Sequence, residues 1–148
     1  MRFIMTARRT ETGTISLPPD GDPSFDPNLF SAYMRFNEEM HKAGVLVASE
    51  GLNPGGRGAR IEVRKGKRAV VDGPFAESKE LVGGFYLLEV KSLEEAIEWA
   101  LRCPTGLGFD DVLELRPLTE GSDLPPALLD LIRTAAPTWS ATFHPRPA

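Results

Sequence analysis

In Gly83-Gly84-Phe85-Tyr86-Leu87-Leu88-Glu89-Val90, the residues Phe85 to Leu88 form a nearly continuous apolar run ending in Glu89-Val90, the pattern of a central strand buried on both faces. Two residues on, Ser92-Leu93-Glu94-Glu95 has the S-x-x-E spacing of a capping box, in which Ser92 and Glu95 satisfy amides that an isolated helix start would orphan. Leu93, Ala96, Ile97, Ala100 and Leu101 then recur on one stripe. Glu98 stands four residues before Arg102, and Pro104 stops the element, so a helix is predicted over about Leu93 to Cys103. Gly83 and Gly84 at the head of the strand suggest a bulge or a close approach of backbones.

Working outward, Asp111 to Arg116 alternates, with Leu113 and Leu115 on one face, and reads as a last strand. Upstream, Ala59 to Arg64 alternates Ile61 and Val63 with charged residues, and Lys65-Gly66-Lys67 leads into Ala69-Val70-Val71, which predicts a hairpin. Pro74 lacks a ladder donor, so Asp72-Gly73-Pro74-Phe75 must turn away from that strand. Val45 to Ser49 is a short strand that runs into the Gly- and Pro-rich loop Gly51 to Gly56. Asp26 and Pro27 are a cap and first-turn pair for a helix over Pro27 to Ala43, whose stripe is Leu29, Tyr33, Phe36, Met40 and Ala43, with Gly44 at its end. Arg2 to Ala7 is the first strand, and residues from about 9 to 26 form a loop insertion.

Leaving the small hairpin aside, the order is strand, helix, strand, strand, helix, strand. That order predicts an α+β, ferredoxin-like split βαβ fold: a four-stranded antiparallel sheet with both helices on one face. The strand at Phe85 to Val90 offers apolar side chains to both faces, so the face without helices needs a cover. An obligate homodimer supplies one, and the final helix and tail folded back over the sheet would be another. Residues 1–118 are expected to form one domain. Residues 119–148 are expected to form a C-terminal helix opened by Pro125 and Pro126, then an irregular Pro-rich tail.

The 148 residues carry 17 Lys and Arg against 21 Asp and Glu, a net charge of −4, with no dense basic run. Direct nucleic-acid binding is not expected. The single Cys103 points to a reducing, cytoplasmic setting. No stretch approaches the roughly 20 apolar residues that span a bilayer, so no membrane partner is expected. Two separated His and one Cys do not make a metal set, and the Gly-rich loop at Gly55-Gly56-Arg57-Gly58 lacks the spacing and Lys of a phosphate-binding loop. No metal or cofactor is expected.

The run Val71-Asp72-Gly73-Pro74-Phe75-Ala76-Glu77-Ser78-Lys79-Glu80, followed by Gly83-Gly84-Phe85-Tyr86-Leu87, resembles the motif of the YCII-related, or DGPF, domain family. Phe36 to Met40, Ser49 to Leu52, Ser92 to Ala100 and Glu114 to Pro117 agree with it in order. The resemblance covers roughly Met1 to Leu118. It implies a dimeric α+β barrel related to small-molecule enzymes, and in some members an association with sigma factors of the extracytoplasmic-function type. In the YciI-like branch a His on the first helix and a later Asp resemble an acid–base pair, and one relative dechlorinates a muconolactone. Counting back from Gly44, the position that matches the His is Tyr33; His41 lies nearer the helix end.

Five residues are therefore the site candidates. Asp72 and Glu50 are the catalytic candidates, and Asp72 can equally bond its own turn amides. Tyr33, Lys79 and Arg116 are the ligand-binding candidates, with Lys79 or Arg116 as the cation that a pocket-facing Glu50 would require. Tyr33 has the alternative reading of a core tyrosine. Three functions follow: a homodimer that binds a small organic molecule behind the sheet with a transcription-linked role, an acid–base isomerase or lyase of the muconolactone type, or a protein-interaction module acting through the tail.

Overall fold

In the computed structural model, residues 1–9, 27–51, 58–72, 82–104 and 111–143 are described. The elements in chain order are β1 (Arg2–Arg9), α1 (Pro27–Lys42), β2 (Leu46–Gly51), β3 (Ala59–Arg64), β4 (Lys67–Asp72), β5 (Val82–Glu89), α2 (Leu93–Arg102), β6 (Asp111–Pro117), α3 (Pro126–Ala135) and the single turn α4 (Pro137–Ser140). The four long-range strands pair antiparallel in the order β2-β5-β1-β6, and β3 pairs with β4 in a separate two-stranded ribbon. Inserting β5 between the parallel pair β1 and β2 is the split βαβ arrangement, so the α+β, ferredoxin-like architecture follows from the register itself.

Local chemistry sets where each element stops. Gly44, at φ +71°, ends α1: its N–H donates to the His41 carbonyl and the Val45 N–H to the Met40 carbonyl, each at 3.0 Å. That is a Schellman closure, and the accompanying apolar contact is between buried Met40 and Val45. At the start of α2 the Ser92 hydroxyl accepts from the Glu95 N–H at 3.2 Å. The reciprocal bond is displaced by one residue, because the Glu95 carboxylate accepts from the Lys91 N–H at 2.7 Å rather than from Ser92. Arg102 does not turn to Glu98 as its spacing suggests. It ion-pairs with Glu39 of α1 and lies 4.2 Å over the Trp99 ring, tying the two helices together.

Alternation puts Phe3 and Met5 of β1, Leu88 of β5 and Leu113 and Leu115 of β6 under the helices, where they meet Phe36, Met40 and Ala96. Met5, Met40, Leu88 and Ala96 are fully buried. The opposite face carries Ile4 and Thr6, Ala48, and Phe85 and Leu87, all half-buried in the single chain. The expected burial of β5 on both faces is therefore met on the helix side only. Gly84 is a close-approach site: a Cβ there would lie 2.7 Å from the Glu50 carbonyl oxygen.

The expected irregular tail is partly helical. α3 contacts α4, and Trp139 of α4 meets Phe143 edge-on at 4.7 Å between ring centroids. Among the described residues, no helix is long and apolar enough to cross a membrane.

Candidate functional site

Of the five residues singled out from sequence, the three whose side chains are described, Tyr33, Glu50 and Arg116, do not assemble on one face. Tyr33 lies on the helix side, half-buried against the core. Ser49 pairs with Tyr86 on that same side, so the next residue, Glu50, opposite Phe85, projects from the other face and is exposed. Arg116, opposite Ile4, shares that open face, but it sits on the far edge strand, three strand spacings or about 14 Å from β2. It is exposed and lies 3.9 Å from Glu114. Arg116 is thus not the cation for Glu50 within one chain, and Glu50 and Tyr33 are separated by the sheet. Asp72 ends β4 opposite Ala59. Its side chain, and Lys79 entirely, lie outside the described residues.

What the fold does bring together is a different set. Asn37, one turn beyond Tyr33 on α1, donates from Nδ2 to the Ser49 hydroxyl at 3.1 Å. That hydroxyl is also within hydrogen-bond reach of the Tyr86 phenol. The Asn37 Oδ1 is buried with no hydrogen-bond partner among the described residues. Such an acceptor is an exception that calls for an explanation, because desolvating it costs about 1–3 kcal/mol. Phe36 meets the Tyr86 ring edge-on at 5.9 Å and the Trp99 ring at 6.3 Å, closing the apolar side of the cluster.

The electrostatics of this cluster are those of a neutral site. Burial pushes the Tyr86 phenol well above its ordinary pKa of 10, and the nearby Cys103 and Tyr33 add to the shift while the Ser49 hydrogen bond opposes it. Tyr86 is therefore protonated throughout the physiological range. No charged side chain is buried among the described residues, and none of their His, Cys, Asp and Glu form a group that could hold a metal ion. A groove of about 200 Å³ lies between α1 and α2, lined by Ala32, Arg35, Phe36, Glu39, Arg102 and Pro104. It is smaller than the roughly 300 Å³ at which organic ligand sites begin, and Glu39 already engages its Arg102.

Asn37, Ser49 and Tyr86 were absent from the sequence-derived set, although a signal was present. Asn37 is four residues after Tyr33, where the stripe Tyr33, Phe36, Met40 should be apolar, and Tyr86 carries the one hydroxyl in the run from Phe85 to Leu88.

Comparison with known proteins gives three findings. A 77-residue stretch is 38% identical to an uncharacterized protein of Rhizobium meliloti (strain 1021); it makes up 52% of this chain and 62% of that protein, so the chain spans under two thirds of the relative's length. Among solved structures, 5-chloro-2-hydroxyhydroquinone dehydrochlorinase from Burkholderia phenoliruptrix AC1100, in complex with 2,5-dihydroxybenzoquinone, aligns over 84% of this chain and 100% of its own, with 16% identity and a TM-score of 0.42. The YCII-related domain profile matches residues 1–120, the unit that holds the whole sheet, α1, α2 and the Asn37–Ser49–Tyr86 cluster. The chain belongs to the YCII-related domain family.

Proposed function

We propose that this protein is a homodimer that binds a small, uncharged organic molecule between α1 and the sheet, with Asn37, Ser49 and Tyr86 as its polar contacts and Tyr33 at their border. The observation that carries the reading is the buried Asn37 Oδ1 without a donor, beside a phenol that burial keeps protonated. Together they ask for a ligand with both a hydroxyl, to donate to Asn37, and a carbonyl, to accept from the tyrosine or serine hydroxyl. A charged ligand would be costly there, since among the described residues no buried side chain offers it a counter-charge.

A second copy is the natural cover for the open sheet face, where Ile4, Phe85 and Leu87 stand half-buried on neighbouring strands. Binding is preferred to acid–base turnover, because Glu50 and Tyr33 lie on opposite faces and the Tyr86 phenol is held away from the pKa of a base. In the isomerase or lyase reading, Asp72 alone would have to move the proton.

The test is thermal denaturation of the purified protein against a panel of uncharged hydroxy-carbonyl compounds, with matched diols and diketones as controls. The reading expects hits confined to molecules that carry both groups. Stabilisation by diols and diketones alike would contradict it. Conversion of a hit to product that is lost in Asp72→Asn would favour the enzyme.

A further inference from the structure

The open face of the sheet carries its charges at its two edges. Register places Glu50, Phe85, Thr6 and Glu114 in one row across β2, β5, β1 and β6, and Ala48, Leu87, Ile4 and Arg116 in the next. The middle of both rows, Phe85, Thr6, Leu87 and Ile4, is a half-buried and mainly apolar patch. One row further, Arg2 and Glu89 stand directly opposite each other and offset one another. Glu50 is exposed and forms no ion pair among the described residues. The Arg116 side chain is 75% exposed and reaches Glu114 only at 3.9 Å, so most of its guanidinium faces solvent.

These two charges are complementary but cannot meet in one chain. Three strand spacings, about 14 Å, separate them across the sheet, and two residues, about 7 Å, along it. A second copy laid face to face over the apolar patch changes that, because a two-fold axis in the interface repeats both charges on the other side. The direction of the axis decides what they meet. An axis parallel to the strands and centred on the sheet sets Glu50 over Glu114 of the partner subunit, like against like. An axis perpendicular to the strands returns β2 over β2, a strand with no cation. An axis along the perpendicular bisector of the Glu50–Arg116 diagonal lies about 25° from the strands and sets Glu50 over Arg116 of the partner subunit at both edges at once.

We propose that a second copy supplies the cation that Glu50 lacks, each protomer's Glu50 pairing with Arg116 of the partner subunit. The diagonal axis passes between Phe85, Leu87, Ile4 and Thr6, so the apolar patch is buried at its centre and the two ion pairs lie at the rim. The sheets pack about 10 Å apart, a gap that an Arg and a Glu reaching toward each other can span. Rim pairs of this kind contribute little affinity but fix the register, since the like-charged alternative is repelled. This inference rests on the dimer reading above and adds the contact that sets how the two sheets cross.

The test uses full-length chains carrying Glu50→Arg or Arg116→Glu, singly, mixed in equal amounts after separate purification, and combined in one chain, with the dimer Kd read by sedimentation. Each reversal alone places two like-charged contacts in the dimer and is expected to raise the Kd at least about tenfold. In the mixture the heterodimer sets one cation against one anion at both edges. Association close to that of the wild type is therefore expected there, and in the chain carrying both reversals. Single variants that dimerise like the wild type, or a mixture no tighter than its components, would overturn the proposal and leave the dimer standing. A wild-type chain that sediments as a monomer would overturn both.

Discussion

Asn37 of α1 and Ser49 of β2 are joined by a 3.1 Å hydrogen bond beneath the helix, while the residue after Ser49, Glu50, points out of the opposite face of the sheet. One step along β2 thus separates the interior polar cluster from the open face. Replacing Ser49 by Ala removes the bond from Asn37 and the interaction with the Tyr86 phenol and leaves the Asn37 amide with neither of its polar atoms paired, so unfolding in urea is expected to show a loss of about 1–3 kcal/mol. Asn37→Leu removes donor and orphan acceptor together and is expected to cost less than Ser49→Ala. A larger loss for Asn37→Leu would mean that the cluster is stabilising without a ligand.

Tyr86 fixes a pH signature. Its phenol is raised by burial, so above pH 10 the unfolded chain loses a proton that the folded chain keeps. The stability it contributes is complete below pH 10 and declines as pH rises toward the folded-state pKa. Urea midpoints between pH 9 and pH 11 are expected to fall more steeply for the wild type than for Tyr86→Phe. Equal slopes would contradict a buried, protonated Tyr86.

Gly84 tests the sheet at its tightest point. An Ala Cβ would meet the Glu50 carbonyl oxygen at 2.7 Å, backbone against side chain, so Gly84→Ala is expected to lower stability by about 1–3 kcal/mol. Gly51→Ala, with nothing within 4 Å of the added Cβ, serves as the contrast and is expected to be near neutral. Thermal denaturation of the two variants checks the difference.

Ser92→Ala removes the side-chain cap of α2 and is expected to cost about 1 kcal/mol, and Ser92→Gly only a few tenths. Chemical denaturation distinguishes the two.

Much of the fold is legible in the sequence because its signals are local. The cap at Ser92, the helix stop at Gly44, the turn at Lys65-Gly66 and the close approach at Gly84 each depend on one or two residues and their neighbours. The antiparallel sheet then follows from element order. The site was less legible for a geometric reason: which face a strand residue occupies depends on the register with its neighbour, and a shift of one residue inverts it. The β2–β5 register is irregular between Leu46 and Ala48, so the orientation of Glu50 could not be counted from the start of its strand. Tyr33 was placed correctly on its helix stripe, but its polar companions come from β2 and β5, and only the folded sheet brings them beneath α1.

The most direct measurement is a calorimetric titration of the strongest hydroxy-carbonyl hit into the wild type, Asn37→Leu and Glu50→Gln. A site on the helix side predicts that Asn37→Leu raises the Kd at least about tenfold, the equivalent of one lost hydrogen bond of about 1.4 kcal/mol, and that Glu50→Gln leaves it unchanged. The reverse pattern, with Asn37→Leu binding like the wild type and Glu50→Gln impaired, would place the ligand on the open face and contradict the account.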